Sequence, residues 1–274
     1  MDHIQMKSDL IEQLIKISKE AGEAILEVYN TNFDHQIKED LSPLTKADIL
    51  SNNIICEMLK VITPDIPILS EENSNIPFNT RSLWKQYWLV DPLDGTKEFI
   101  KKNDEFTVNI ALIENNKPTF GVIYAPILRE TFWGSEGDGS FFLDKENNTK
   151  KINVSKNVND PIKIVTSRSH PSDELSRLLG KIKNYDLLKV GSSLKFCLIA
   201  SGQADIYPRL GPTSEWDTAA GEAILKFAGG GIIKLDGRQM KYNETGSLLN
   251  ESFIAFSDKK LAKKYFLSHY ASGH

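Results

Sequence analysis

Trp88-Leu89-Val90-Asp91-Pro92-Leu93-Asp94-Gly95-Thr96 is the stretch from which the rest of the chain can be read. Residues 87–90 are apolar and strand-like, and they run directly into the carboxylate of Asp91. Asp94 follows three residues later, beside Gly95 and the hydroxyl of Thr96. Pro92 and Gly95 predict a tight turn, after which residues 97–100 start a helix. A turn of this spacing brings both carboxylates to one side. Two carboxylates, a backbone carbonyl and a hydroxyl are the oxygen donors that a hard cation such as Mg²⁺ takes. The alternative is a capped turn whose acids face water.

Three more acidic positions share this character. Ser70-Glu71-Glu72-Asn73 closes a short strand at residues 66–69. Trp216-Asp217-Thr218-Ala219-Ala220 opens a helix of small residues, where Asp217 is either a cap or a third metal carboxylate. Thr45-Lys46-Ala47-Asp48 precedes a helix, where Asp48 is either an ordinary first-turn acid or a partner of a hydroxyl such as that of Thr96 in orienting an attacking water. Each acid lies at a strand end or a helix start, which is where α/β folds build sites.

Around these positions the pattern changes along the chain. Residues 10–28 and 48–61 show helical periodicity, and Thr63-Pro64-Asp65 stops the second run. Residues 106–113 and 120–124 flank Asn115-Asn116-Lys117-Pro118 as a hairpin, and 131–133 and 140–143 extend it into a meander. Residues 144–159 are polar and rich in Lys and Asn, which marks a boundary between a metal-binding half, 1–150, and a second half, 151–274. In that second half, strands at 162–166, 187–190, 204–207 and 232–235 alternate with helices at 172–179, 194–201 and 218–228, a layered α/β pattern.

With 274 residues, 40% apolar and 26% charged, the chain can bury a sizeable core. A net charge of −4 argues against a nucleic-acid polymer as partner. Cys56 and Cys197 sit in apolar stretches and read as free thiols of a reducing cytoplasm. No apolar run is long enough for a membrane span, and residues 1–19 lack the apolar core of a signal peptide.

Taken together, these blocks resemble the inositol monophosphatase-like, lithium-sensitive phosphatases, and more narrowly the CysQ-type 3′(2′),5′-bisphosphate nucleotidase branch. The resemblance is carried by residues 88–99, Ser70-Glu71-Glu72, Glu215-Trp216-Asp217-Thr218-Ala219-Ala220 and Ser42-Pro43-Leu44-Thr45-Lys46-Ala47-Asp48, in that family's order, and spans about residues 10–256. It implies an αβαβα sandwich and two or three Mg²⁺ ions held by Glu71, Asp91, Asp94, Asp217 and the Leu93 carbonyl. It implies that Asp48 and Thr96 activate a water for direct in-line attack, removing the 3′-phosphate of 3′-phosphoadenosine 5′-phosphate to give AMP. It also implies sensitivity to Li⁺, and a location in the cytoplasm or at the inner face of the plasma membrane.

Lys97-Glu98-Phe99 and Thr166-Ser167-Arg168-Ser169-His170 favour the nucleotidase branch over inositol or sugar phosphatases, which would use the same metals. Further substrate contacts implied are Gly95, Thr96, Ser167, His170, Gly191, Ser192, Lys195, Arg209 and Asp217. The residues agree on their own terms: Gly191-Ser192-Ser193 lies between a strand and a helix, where backbone N–H groups suit an anion. Lys195 and Arg209 would add charge for a phosphate, or are solvated surface. His170 is either a turn residue before Pro171 or a ribose or adenine contact. A phosphatase that phosphorylates its own aspartate is disfavoured, because its paired aspartates are separated by one residue, whereas two residues lie between Asp91 and Asp94. A nucleotide sensor without turnover would need a damaged acid set, and the set here is complete. Oligomeric state is not readable.

Overall fold

Two amphipathic helices, α1 (Ser8–Tyr29) and α2 (Pro43–Ile62), open the computed structural model, which describes residues 8–31, 43–158, 160–169 and 173–267. Their apolar stripes cover one face of a seven-stranded sheet. The strands are β1 (Ile68–Ser70), β2 (Gln86–Asp94), β3 (Thr107–Glu114), β4 (Lys117–Ala125), β5 (Glu130–Ser135), β6 (Gly139–Leu143) and β7 (Thr149–Ile152), in that spatial order. Within this sheet β1 and β2 pair in parallel and the other neighbours antiparallel; the β1–β2 crossover holds a 3₁₀ turn, Glu71–Asn73, and α3 (Phe78–Arg81). The β3–β4 hairpin turns on Asn115 and Asn116, both left-handed at φ 49° and 65°, the conformation a two-residue hairpin loop requires.

The second sheet has the order β12-β14-β10-β8-β9. It is built from β8 (Ile162–Ser167), β9 (Tyr185–Val190), β10 (Ile206–Arg209), β12 (Gly231–Lys234) and β14 (Phe253–Phe256). β11 (Thr213–Ser214) and β13 (Leu249–Asn250) form a small separate ribbon. Helices α6 (Leu194–Ala200) and α7 (Ala219–Phe227) are packed between the two sheets. Helices α5 (Asp173–Leu179) and α8 (Lys259–Ala262), with a π-helical turn at Lys263–Leu267, cover the outer face of the second sheet. The layers are therefore αβαβα.

Period-two alternation explains how each sheet serves two layers. On β2, Trp88 and Val90 face α1 and α2, while Tyr87 and Leu89 face α6 and α7. On β8, Val165 faces the middle layer and Ile164 the outer helices. Glycine sets how closely the middle layer approaches. A Cβ on Gly121 of β4 would lie 2.5 Å from the Ala220 carbonyl oxygen, and one on Gly134 of β5 would lie 2.8 Å from the Ile224 Cα. The α7 backbone thus rests directly on the sheet.

Several expectations shift. Helix α2 starts at Pro43 rather than Asp48, because proline fits the first turn of a helix, where its missing N–H is not needed. Thr45-Lys46-Ala47-Asp48 therefore lies inside the helix. Strand β2 does not stop before Asp91: it runs through Pro92 to Asp94, with an irregular register between Asp91 and Asp94. The polar segment 144–159 carries β7, whose Thr149, Lys150 and Lys151 are exposed on the sheet's edge. Strand β10 sits two residues later than expected and includes Pro208.

Candidate active site

The bulge at the end of β2 places both aspartates at one end of the sheet. Gly95, left-handed at φ 99°, then turns the chain into α4 (Thr96–Ile100). A Cβ at Gly95 would come within 3.0 Å of the Glu105 carbonyl oxygen, so this turn needs glycine twice over. Asp217 arrives from the second half, on the loop that enters α7. Carboxylate oxygens of Asp91, Asp94 and Asp217 all lie within 4.8 Å of one another. Glu71, in the 3₁₀ turn after β1, joins them at the wall of a cavity of about 310 Å³.

Fixed donors hold these acids. Asp91 Oδ1 accepts from the Leu93 N–H at 3.1 Å, and Asp217 Oδ2 from the Ser214 N–H at 2.8 Å. Ser193 Oγ lies 2.6 Å from Asp94 Oδ2. Burial and mutual repulsion act on the cluster together. Asp91, 1% exposed, is pushed well above the usual carboxylate range, first by burial and then by Asp94, Glu71 and Asp217. Asp217 rises to about 7 by burial and the charge of Asp94. Glu71 also rises to about 7, through desolvation of its carboxyl and the charge of Asp94, although much of its remaining surface faces water.

Asp48 lies in the second turn of α2, half-buried, and is raised to about 8 by burial and by Glu72 and Glu71. Thr96 is exposed and lines the cavity. Among the described residues no hydrogen bond joins the two, so the structure brings Asp48 to the acidic cluster rather than to the Thr96 hydroxyl.

The opposite wall is cationic and aromatic. Lys195 and Arg209 line it with Phe196, Tyr207, Trp216 and Phe253. The Lys195 ammonium is buried, bonds the Ser192 carbonyl, and lies 5.3 Å from the centre of the Tyr207 ring. Burial and nearby Arg209 lower it to about 8, against the charge of Asp94. Arg209 donates through Nη2 to the Pro212 carbonyl, while its Nε and the Ser192 hydroxyl are buried without a partner.

Ser167, Ser192 and Gly95 line the cavity as well. Gly191 does not: its N–H is committed to Glu105 Oε2 at 2.7 Å, so it is not free for an anion. Glu105 also takes a forked bond from Arg168, so this one carboxylate, just before β3, fastens the end of β8 and the segment leading into α6 together. His170 lies outside the described residues.

Sequence reasoning quoted Ser193, Glu98 and Trp216 inside motifs without giving any of them a role of its own, and it passed over Asn109. The signal for Asn109 was its pairing with Thr107, two polar residues sharing a face of an otherwise apolar strand.

Residues 6–269 match the inositol monophosphatase family. A 3′(2′),5′-bisphosphate nucleotidase CysQ of Salmonella typhimurium is 46% identical over 89% of this chain and 98% of its own length. Its counterpart in Escherichia coli K12 is 44% identical over the same shares. Among solved structures, CysQ from Bacteroides thetaiotaomicron superposes with a TM-score of 0.82 at 38% identity, covering 92% of this chain and 98% of that one. The strand-end acids, the αβαβα layering and these matches agree: the chain belongs to the inositol monophosphatase family.

Proposed function

We propose that this protein is a Mg²⁺-dependent phosphomonoesterase that removes the 3′-phosphate of 3′-phosphoadenosine 5′-phosphate, releasing AMP. The observation that carries this reading is the polarity of the cavity, with clustered carboxylates on one wall and Lys195 and Arg209 on the other. A bisphosphate satisfies both walls, whereas an inositol monophosphate leaves the cationic wall with buried, unpartnered donors. Phe196, Tyr207, Trp216 and Phe253 offer a purine the stacking surface that a sugar alcohol does not use.

The donor set fits the cation. Carboxylates this close cannot all be ionised without a positive charge among them, and every donor is a hard oxygen. Glu71, Asp91, Asp94, Asp217 and the Leu93 carbonyl would hold it. When bound, Mg²⁺ supplies charge stabilisation to the phosphoryl oxygens and acidifies water.

The chain's own groups do the rest. Lys195 and Arg209 hold the 5′-phosphate, with the Ser192 hydroxyl as a further donor. Thr96, on α4, orients the attacking water through its hydroxyl, and the Asp48 carboxylate, on α2, accepts the proton that this water gives up. The aromatic wall excludes bulk water and orients the base, so positioning supplies most of the rate. Free Cys56 and Cys197 fit a reducing cytoplasm, and no helix among the described residues is long and apolar enough to cross a membrane.

Phosphate release from 3′-phosphoadenosine 5′-phosphate, 3′-phosphoadenylyl sulfate and inositol 1-phosphate, with Mg²⁺ and with chelator, tests the proposal. Fastest turnover of a 3′-phosphonucleotide, abolished by chelation, is expected. Preference for inositol 1-phosphate would refute the substrate assignment.

A further inference from the structure

Asp94 is held by a run of side chains that starts on the neighbouring strand. Thr107 and Asn109 of β3 stand opposite Asp94 and Asp91 in the register of the sheet. The Thr107 hydroxyl donates to Asn109 Oδ1 at 3.0 Å. An amide whose oxygen is engaged in this way presents its NH₂ to the other side. Asn109 Nδ2 accordingly donates to Ser193 Oγ at 2.9 Å and, over a longer 3.4 Å, to Asp94 Oδ2 itself.

Ser193 then has one proton to give. Asp94 Oδ2 is 2.6 Å away and the Asp217 carbonyl 2.9 Å away. The Asp94 carboxyl oxygen is the nearer acceptor, so the proton goes to Asp94. Thr107, Asn109 and Ser193 are each no more than 1% exposed, so water cannot replace any of them. Donors aligned head to tail polarise one another and converge on one carboxylate oxygen.

We propose that Ser193 is a positioning residue of the reaction, with Asn109 and Thr107 acting mainly through it. It fixes the plane of the Asp94 carboxylate, and it ties that carboxylate to the segment that carries Ser192 and Lys195. The cation-binding centre and the phosphate-binding wall thus share one rigid connection. This inference rests on the cation reading above.

The test is a calorimetric titration of Mg²⁺ alone into the substrate-free protein, with wild type as reference. Ser193→Ala is expected to bind Mg²⁺ about 10–100-fold more weakly, the usual cost of losing an outer-shell partner. Thr107→Val keeps the shape of the side chain and should weaken binding in the same direction, by less. The double variant should bind less weakly than the product of the two single effects, since Thr107 acts mainly through Ser193 and only over the longer Asn109–Asp94 bond besides. A merely structural role would lower the melting temperature and leave Mg²⁺ affinity alone.

Mg²⁺ affinity in Ser193→Ala within about twofold of wild type would overturn the proposal, as would multiplying effects in the double variant. Should Ser193→Ala fail to fold, unchanged affinity in Thr107→Val would overturn it equally. If wild type itself takes up no Mg²⁺, the cation reading falls instead.

Discussion

Replacing Gly121 by alanine would wedge α7 away from the seven-stranded sheet. The new Cβ would stand 2.5 Å from the Ala220 carbonyl oxygen and 2.8 Å from the Ala220 Cα. Ordinary contact begins at 3.4 Å, so the α7 backbone must retreat by about 0.9 Å at this point. Strand β4 cannot yield instead, because β3 and β5 hold it on both sides. Overpacking of this kind costs about 1–3 kcal/mol.

The displacement also reaches Asp217, three residues before Ala220. A misplacement near 1 Å at a reacting centre costs on the order of 10²-fold in rate. Urea unfolding should therefore show a loss of about 1–3 kcal/mol. At saturating Mg²⁺, kcat/KM should fall roughly 100-fold with an unchanged far-UV spectrum. Gly246→Ala, where an added Cβ meets nothing within 4 Å, is the control. A Gly121→Ala enzyme that is destabilised yet fully active would show that the seat of α7 does not position Asp217. Unchanged stability would refute the packing argument itself.

Asp94→Asn should abolish phosphate release while the melting curve stays cooperative, and near-normal turnover would remove Asp94 from the cation centre. Lys195→Met should raise KM for 3′-phosphoadenosine 5′-phosphate by about 10–100-fold, the worth of a charge-assisted bond, and change hydrolysis of 3′-AMP far less. Equal losses on both substrates would mean that Lys195 does not serve the second phosphate. Glu222, raised to about 7 chiefly by burial, holds its proton more tightly folded than unfolded. Its contribution is complete below the unfolded carboxylate range and is lost as pH rises through about 7, at most about 3 kcal/mol in all. Glu222→Gln, which keeps an acceptor for the Tyr242 hydroxyl, should remove that slope from denaturation measured between pH 5 and 8; parallel slopes would contradict it.

Periodicity marked the long elements because they are amphipathic: α1, the β3–β4 hairpin and α7 each show their buried face in sequence. Strand β7 was hidden because an edge strand is guarded by lysines, and Lys150 and Lys151 give it the composition of a loop. The ribbon of β11 and β13 was hidden because two residues carry no period. The acids were legible because each lies near a strand end or in the opening turns of a helix. Their convergence was not, since it depends on the bulge after Asp91 and on how close α7 lies to the sheet. The bond from Gly191 to Glu105 was invisible for the same reason: its partner lies 86 positions away.

Helices α6 and α7 have a sheet on each side and almost no water to face. A residue there that changes size presses on both neighbours at once, so variation in this layer is penalised twice over. Novelty in what the protein accepts has to come from its rims, Ser192 and the segment at 213–216, where a side chain can grow into the cavity without prying two sheets apart. Relatives that share this architecture but act on other phosphate esters should therefore differ first at those positions, with their innermost helices nearly unchanged.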